Sequence, residues 1–176
     1  MEELPGLSGA CPVRCLSPVH GKLPEVVILG SFPGRQSLLK KEYYGNPRNH
    51  FWHIMEALFS IDHDLPYEVR ISRLIDHRIA LWDVICTCSR KGSADARIHD
   101  PEFNDLAGFL AAFPTLRLVV LNGSSAARYY HRLKIPGSVP AVVLPSTSPA
   151  NARFTLIEKV RRWEIVAYGR FIVNPG

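Results

Sequence analysis

Residues 25–34 read Glu25-Val26-Val27-Ile28-Leu29-Gly30-Ser31-Phe32-Pro33-Gly34. Glu25–Leu29 is a β-branched-rich run without strict alternation, the pattern of a strand covered on both faces. It stops in a turn of small residues, where backbone N–H groups can approach an anion or a base. No Gly-Lys-Ser/Thr follows, so the turn is not a Walker loop, and the glycine spacing is not the dinucleotide fingerprint. Taken alone, the stretch reads equally well as a plain turn.

Three further runs of the same kind follow, Ile79–Val84, Leu116–Leu121 and Ala141–Leu144. Between the runs, periodicity predicts helices over 49–60, 67–77, 102–113, 124–134 and 153–168. The first places Phe51, Trp52, Met55, Leu58 and Phe59 on one stripe. The last sets Leu156, Val160, Trp163 and Ala167 on one face and Lys159, Arg161 and Arg162 on the other. Alternating strands and helices predict an α/β fold, a parallel sheet with helices on both faces and right-handed crossovers. Ligands of such sheets bind beyond the carboxyl ends of the strands. Those ends lead into Gly30–Gly34, Cys86–Gly92, Asn122–Ser125 and Pro145–Asn151, so one rim gathers small residues and amides.

The 176 residues make one domain with a sizeable core, and the 47% hydrophobic content is that of a globular chain. Residues 1–24, rich in Pro, Gly and Ser, read as an irregular lead-in, and 25–176 as a single domain. No apolar run approaches the roughly 18 residues of a membrane span, and no signal-peptide pattern opens the chain. Four cysteines do not make a disulfide scaffold. Cys11 and Cys15 are spaced CxxxC and Cys86 and Cys88 CxC, neither of them the CxxC of a zinc site. Reduced thiols in an intracellular, cytoplasmic protein are expected, nucleoid-associated in a prokaryote, with no metal and no cofactor. The net charge of +5 is modest and suits a phosphate-bearing partner.

The densest chemistry lies in Tyr43-Tyr44-Gly45-Asn46-Pro47-Arg48-Asn49-His50-Phe51-Trp52. A flipped base needs a stacking ring and hydrogen bonds to its edge, and this segment holds rings, two amides, a guanidinium and an imidazole. Asn49 also fits the N-cap of the following helix, with Phe51 and Trp52 in the core. Asn122, directly after the third strand, can read a base edge with donor and acceptor or cap the next helix. Ser146-Thr147-Ser148-Pro149-Ala150-Asn151, ahead of the basic last helix, can hold phosphates or be a solvated loop. Asp83 ends the second strand near the rim, where a cap or a salt bridge is the plainer role. Asp62 and Asp64 flank His63 in an expected loop, where exposed charge is the default.

With these motifs in order, the chain resembles the uracil-DNA glycosylase superfamily, in particular its hypoxanthine-DNA (deoxyinosine) glycosylase branch, over about residues 25–165. The resemblance rests on Val27–Gly34, Tyr43–Trp52, Ala80-Leu81-Trp82-Asp83-Val84, Leu121-Asn122-Gly123 and Leu144–Asn151. It implies a three-layer α/β/α sandwich around a four-stranded parallel sheet. It also implies a monofunctional enzyme that flips hypoxanthine out of single- or double-stranded DNA and hydrolyses its glycosidic bond, without a lysine nucleophile. Gly30, Ser31, Phe32 and Pro33 stand where mismatch-specific members carry Gly-Ile-Asn-Pro, so Phe32 replaces their catalytic Asn. Tyr44 matches the aromatic that stacks on the base, and Phe32 is a second candidate stacker. The branch takes its catalytic Asn from the following segment, which falls on Asn49, with Asn46 second. Asn122 matches its second functional Asn. Ser146, Thr147, Ser148, Asn151 and Arg153 fall on the DNA path. Leu144 stands where efficient uracil enzymes carry a His, which speaks against strong uracil activity. A monomeric hypoxanthine glycosylase is therefore expected. A glycosylase acting mainly on uracil or xanthine, an inert DNA-binding module and a small-nucleotide-binding enzyme are the rival readings.

Overall fold

The computed structural model describes residues 12–90, 98–137 and 139–168. In chain order the elements are β1 (Val13–Arg14), β2 (Val26–Gly30), α1 (Arg35–Lys40), α2 (Phe51–Phe59), α3 (Tyr67–Asp76), β3 (Ile79–Asp83) and β4 (Ile85–Arg90). They continue with β5 (Ile98–Phe103), α4 (Leu106–Ala112), β6 (Leu118–Asn122), α5 (Ser124–Arg132), β7 (Ala141–Leu144), α6 (Leu156–Trp163) and α7 (Ile165–Tyr168). The four expected runs form one parallel sheet in the order β3-β2-β6-β7.

Alternate residues of β2 separate two cores. Val26 and Ile28 pack with Phe51, Met55, Leu74 and Trp163, so α2, α3 and α6 cover one face. Val27 and Leu29 pack with Leu106, Phe109 and Ala126, so α4 and α5 cover the other. Both faces being buried is why β2, β3 and β6 read as unbroken apolar runs, while the edge strand β7 leaves Ala141 and Val143 exposed. Each such side chain contributes about 1.5–3 kcal/mol on leaving water. The result is the three-layer α/β/α sandwich.

A smaller antiparallel sheet, β1-β4-β5, departs from expectation. The segment after β3 does not loop over the rim: β4 continues as a strand whose Ile85 and Cys88 are buried against the second core. Ile85 and Cys88, three residues apart, both reach this core because register shifts interrupt the β4–β5 ladder between Ile85 and Thr87 and between Thr87 and Ser89. The remainder of Cys86–Gly92, its end past Arg90, lies outside the described residues, as does Cys11. Helix α4 begins later than 102 because Asp105 caps it, its Oδ1 accepting from Gly108 N at 2.9 Å. Helix α6 likewise starts at Leu156 rather than 153, behind a capping box of Thr155 and Glu158. The lead-in is tied down within its described part, where β1 pairs with β4 and Val19 bridges to Leu81.

The chain leaves β2 first toward β3 on one side and later enters β6 on the other. The switch point of the sheet therefore lies between β2 and β6, where open α/β sheets hold their ligands. Gly30 and Asn122 end these two strands, one residue beyond the paired Leu29 and Leu121.

Candidate active site

Strand alternation carries Gly30, Asp83 and Asn122 onto the face covered by α2. Gly30 pairs with Asp83 in the β2–β3 register. A Cβ on Gly30 would stand 2.6 Å from Asp83 Oδ1 and 3.9 Å from the Tyr44 hydroxyl. The missing side chain is what lets a buried carboxylate and a phenol share the floor of the cleft. At the β6 exit, Gly123 has φ +92°, and a Cβ there would lie 2.7 Å from Ser146 Cβ, so glycine lets the loops after β6 and β7 meet.

Tyr44 is held in a left-handed backbone conformation, φ 56°, uncommon for a bulky residue. Its neighbour anchors it: Tyr43 N donates to the Tyr67 hydroxyl at 2.9 Å, and Trp52 Nε1 donates to Tyr43 O at 3.1 Å. The Tyr44 ring stacks on Phe51 with centroids 3.9 Å apart and planes at 17°. One face of the ring is thereby backed, the arrangement of a stacking platform. Burial, followed by the negative charge of Asp83, raises the Tyr44 pKa against the lowering hydrogen bond from Asn122, so the phenol stays protonated.

Asn122 has both ends of its amide engaged. Oδ1 accepts from Thr147 N at 2.9 Å, while Nδ2 donates to Thr147 Oγ1 at 3.0 Å and to the Tyr44 hydroxyl at 3.2 Å. Because Thr147 N is only a donor, the carboxamide cannot flip. Thr147, fully buried, passes the connection on, for its carbonyl accepts from His50 N at 3.0 Å. Asn49 precedes His50, which is the N-cap of α2, so the expected N-cap falls one residue later; the Asn49 Oδ1 accepts from Phe51 N at 3.0 Å in an Asx turn that leads into the helix. Its Nδ2 meets no protein group among the described residues. Contacts therefore run in a closed circuit from Asn49 through Phe51, Tyr44, Asn122, Thr147 and His50 back to Asn49.

Other expected residues take different places. Phe32 is a correction: its ring is buried in the opposite core with Leu29 and Ala126, where apolar burial holds it, and it does not stack beside Tyr44. The side chain of Thr147 is likewise not on a DNA-facing surface, since its hydroxyl is spent inside on Asn122. Ser31 and Pro33 are buried in the turn beneath the cleft. Asn46 shapes its own turn, Oδ1 accepting from Arg48 N at 3.0 Å and its carbonyl from Asn49 N at 2.8 Å. Ser146 and Ser148 hydroxyls accept from Ser148 N and Ala150 N, and Asn151 Nδ2 donates to Ser146 O. These bonds pre-form the loop. Arg153 is exposed, and its guanidinium and that of Arg162 lie 5.4 and 4.7 Å from the centre of the Phe154 ring. They make a basic patch beside the Ser/Pro loop.

Two features had little sequence signal. Lys159, expected on a solvent face, is fully buried and donates to Asn151 O at 3.1 Å, and burial lowers its pKa. His50 is pushed below its ordinary pKa by burial and by the Lys159 charge. Nothing in the sequence marked Lys159 as part of the site's support, whereas His50 stood in the segment singled out for its imidazole.

The α/β/α sandwich gathers Tyr44, Asn49 and Asn122 beyond the carboxyl ends of its strands, where open α/β sheets hold their ligands. Residues 18–168 match the description Uracil DNA glycosylase superfamily, and the chain belongs to that superfamily. It is 42% identical over 143 residues to the Hypoxanthine DNA glycosylase of Methanosarcina acetivorans, covering 81% of this chain and 89% of that protein. It is 36% identical over 137 residues to the protein of the same name from Methanosarcina barkeri, covering 77% and 86%. Among solved structures it is similar to an NMR structure of a Methanosarcina acetivorans protein assigned provisionally as a uracil DNA glycosylase. That match has a TM-score of 0.79 and 38% identity and covers 92% of this chain and 99% of the other.

Proposed function

We propose that this chain is a monofunctional DNA glycosylase that hydrolyses the N-glycosidic bond of deoxyinosine in DNA. The observation that carries the reading is the circuit joining a backed Tyr44 ring to two amides at the switch point, in a chain 42% identical to a protein named Hypoxanthine DNA glycosylase. Flipping the base costs a few kcal/mol, least for a weakly paired one. Stacking on the Tyr44 ring returns about 1–3 kcal/mol. Asn49 holds the attacking water near C1′ with its Nδ2 and the second lone pair of Oδ1. The C1′–N9 bond breaks as water oxygen bonds C1′. Hypoxanthine leaves with the electron pair, and the proton that the water gives up passes through solvent to the departing base. Donors at the base edge stabilise the departing anion. With both amide hydrogens of Asn122 spent on Thr147 and Tyr44, these donors come from Asn49 Nδ2 and the backbone of the Gly30–Gly34 turn, and Asn122 holds Tyr44 and Thr147 in place.

DNA enters along Ser146, Ser148 and Asn151, with Arg153 and Arg162 on its phosphates. The domain acts as a monomer, and its lead-in from Val13 belongs to it through β1 and the Val19–Leu81 bridge. The test is incubation with duplexes holding one hypoxanthine, uracil or xanthine, followed by alkaline cleavage of abasic sites. Cleavage chiefly at hypoxanthine supports the reading. Cleavage chiefly at uracil or xanthine reassigns the substrate, and binding without abasic sites leaves only a DNA-binding module.

A further inference from the structure

A second set of polar groups lies on α2, away from the side it buries. His53 and Glu56 are three residues apart and share a helix face. The chain leaves α2 through Ser60, in a left-handed conformation, and brings His63 back to the same place. His63 Nδ1 lies 2.6 Å from Glu56 Oε2, and its ring centre is 4.1 Å from that of His53 with the planes at 49°. One donor atom from each of His53, Glu56 and His63 falls within 4.8 Å of the other two, and all three residues are half-buried. Asp64 Oδ1 stands 3.5 Å from His63 Nε2, and Asp62 Oδ1 accepts from Asp64 N at 2.9 Å, which shapes the loop.

The charge here is unusual for the chain. The protein carries +5, yet three carboxylates surround two imidazoles. Among the described residues no Lys or Arg forms an ion pair with Glu56, Asp62 or Asp64; only His63 does. Two imidazoles and a carboxylate are the donor set of zinc-class ions, whereas calcium and magnesium take oxygens. We propose that His53, Glu56 and His63 bind one divalent transition-metal ion of the zinc class, with Asp64 or water completing the shell. The ion clips the loop after α2 onto the helix that Asn49 leads into. It takes no part in the glycosylase reaction. Ligation needs both imidazoles neutral, so affinity rises with pH.

The test uses the full chain stripped of metal with a chelator. Zinc is titrated by calorimetry and by thermal melting, and cobalt by absorption. The expected result is one ion per chain and a zinc-dependent rise in Tm, larger on the alkaline side of the histidine range. His53→Ala leaves the His63–Glu56 pair intact and should lose the rise, which separates metal binding from simple ion pairing. Glu56→Gln is the second variant, used where circular dichroism shows His53→Ala misfolded, and should lose it too. No zinc-dependent rise in the parent overturns the proposal. So does an unchanged isotherm in His53→Ala, or a cobalt–thiolate charge-transfer band, either of which puts the metal elsewhere.

Discussion

Asn122 at the end of β6 and Asn49 before α2 carry the same amide and are used in opposite ways. Asn122 spends its oxygen on Thr147 N and both its amide hydrogens on Thr147 Oγ1 and the Tyr44 hydroxyl. Asn49 spends only one lone pair, on Phe51 N. A buried polar group that is fully satisfied fixes geometry, while one with unspent donors can act on a ligand. The β6 exit is thus the frame of the cleft, and the α2 entrance is its working edge.

That contrast is sharpest in paired rate and melting measurements. Asn122→Asp removes both donations and sets a negative charge near Asp83. It is expected to lose most hypoxanthine excision in single-turnover assays and to lower Tm as well, since each unmade buried bond costs about 1–3 kcal/mol. Excision at the parent rate would reduce Asn122 to a local brace without bearing on the cleft. Thr147→Val keeps the shape and removes the hydroxyl. A loss of about 1 kcal/mol in denaturant unfolding is expected, with a smaller rate effect. Combined with Asn122→Ala it should cost less than the two separate losses together, because both break one network. Strict additivity would break the circuit.

Smaller effects follow at the edges. Arg153→Gln should weaken DNA binding evenly across sequences and reduce the log–log salt slope by about one. An unchanged slope puts the strand elsewhere. The pH effect is the least. The His50 pKa is lowered in the fold by burial and the Lys159 charge. Its contribution is therefore present above the ordinary histidine value of about 6.5. It fades as pH falls below that, because the unfolded chain takes the proton first. His63, raised by its hydrogen bond to Glu56, acts in the opposite sense, stabilising at low pH and losing its effect as pH rises through its folded value. Melting curves of His50→Gln should show a flatter acid-side decline than the parent.

Strands β2, β3 and β6 were legible because they are buried on both faces, which leaves an unbroken apolar run such as Val26–Leu29, while the edge strand β7 was legible from its run alone, since Ala141 and Val143 are exposed. Helix α2 was legible from its stripe. The small sheet was not: Ile98–Phe103 contains Asp100, Pro101 and Glu102 and is a strand only through its pairing with β4. Tyr44, Asn49 and Asn122 are joined by contacts beyond the ends of β2 and β6. Phe32 went wrong because a turn following a strand gives no parity, and its ring fell to the other core. The duties of Thr147 and Lys159 were hidden for a related reason, since hydroxyl and ammonium groups read as surface until the packing shows them buried.

The most direct test is single-turnover release of hypoxanthine by Asn49→Ala and Asn46→Ala beside the parent, with melting curves of all three. The account predicts that Asn49→Ala falls by about 10²-fold or more, the size of losing a preorganised polar group. Its stability should drop by only about 1 kcal/mol, the worth of one hydrogen bond, and Asn46→Ala should stay much closer to the parent rate. An Asn49→Ala variant that keeps near-full rate while Asn46→Ala abolishes it would contradict the account.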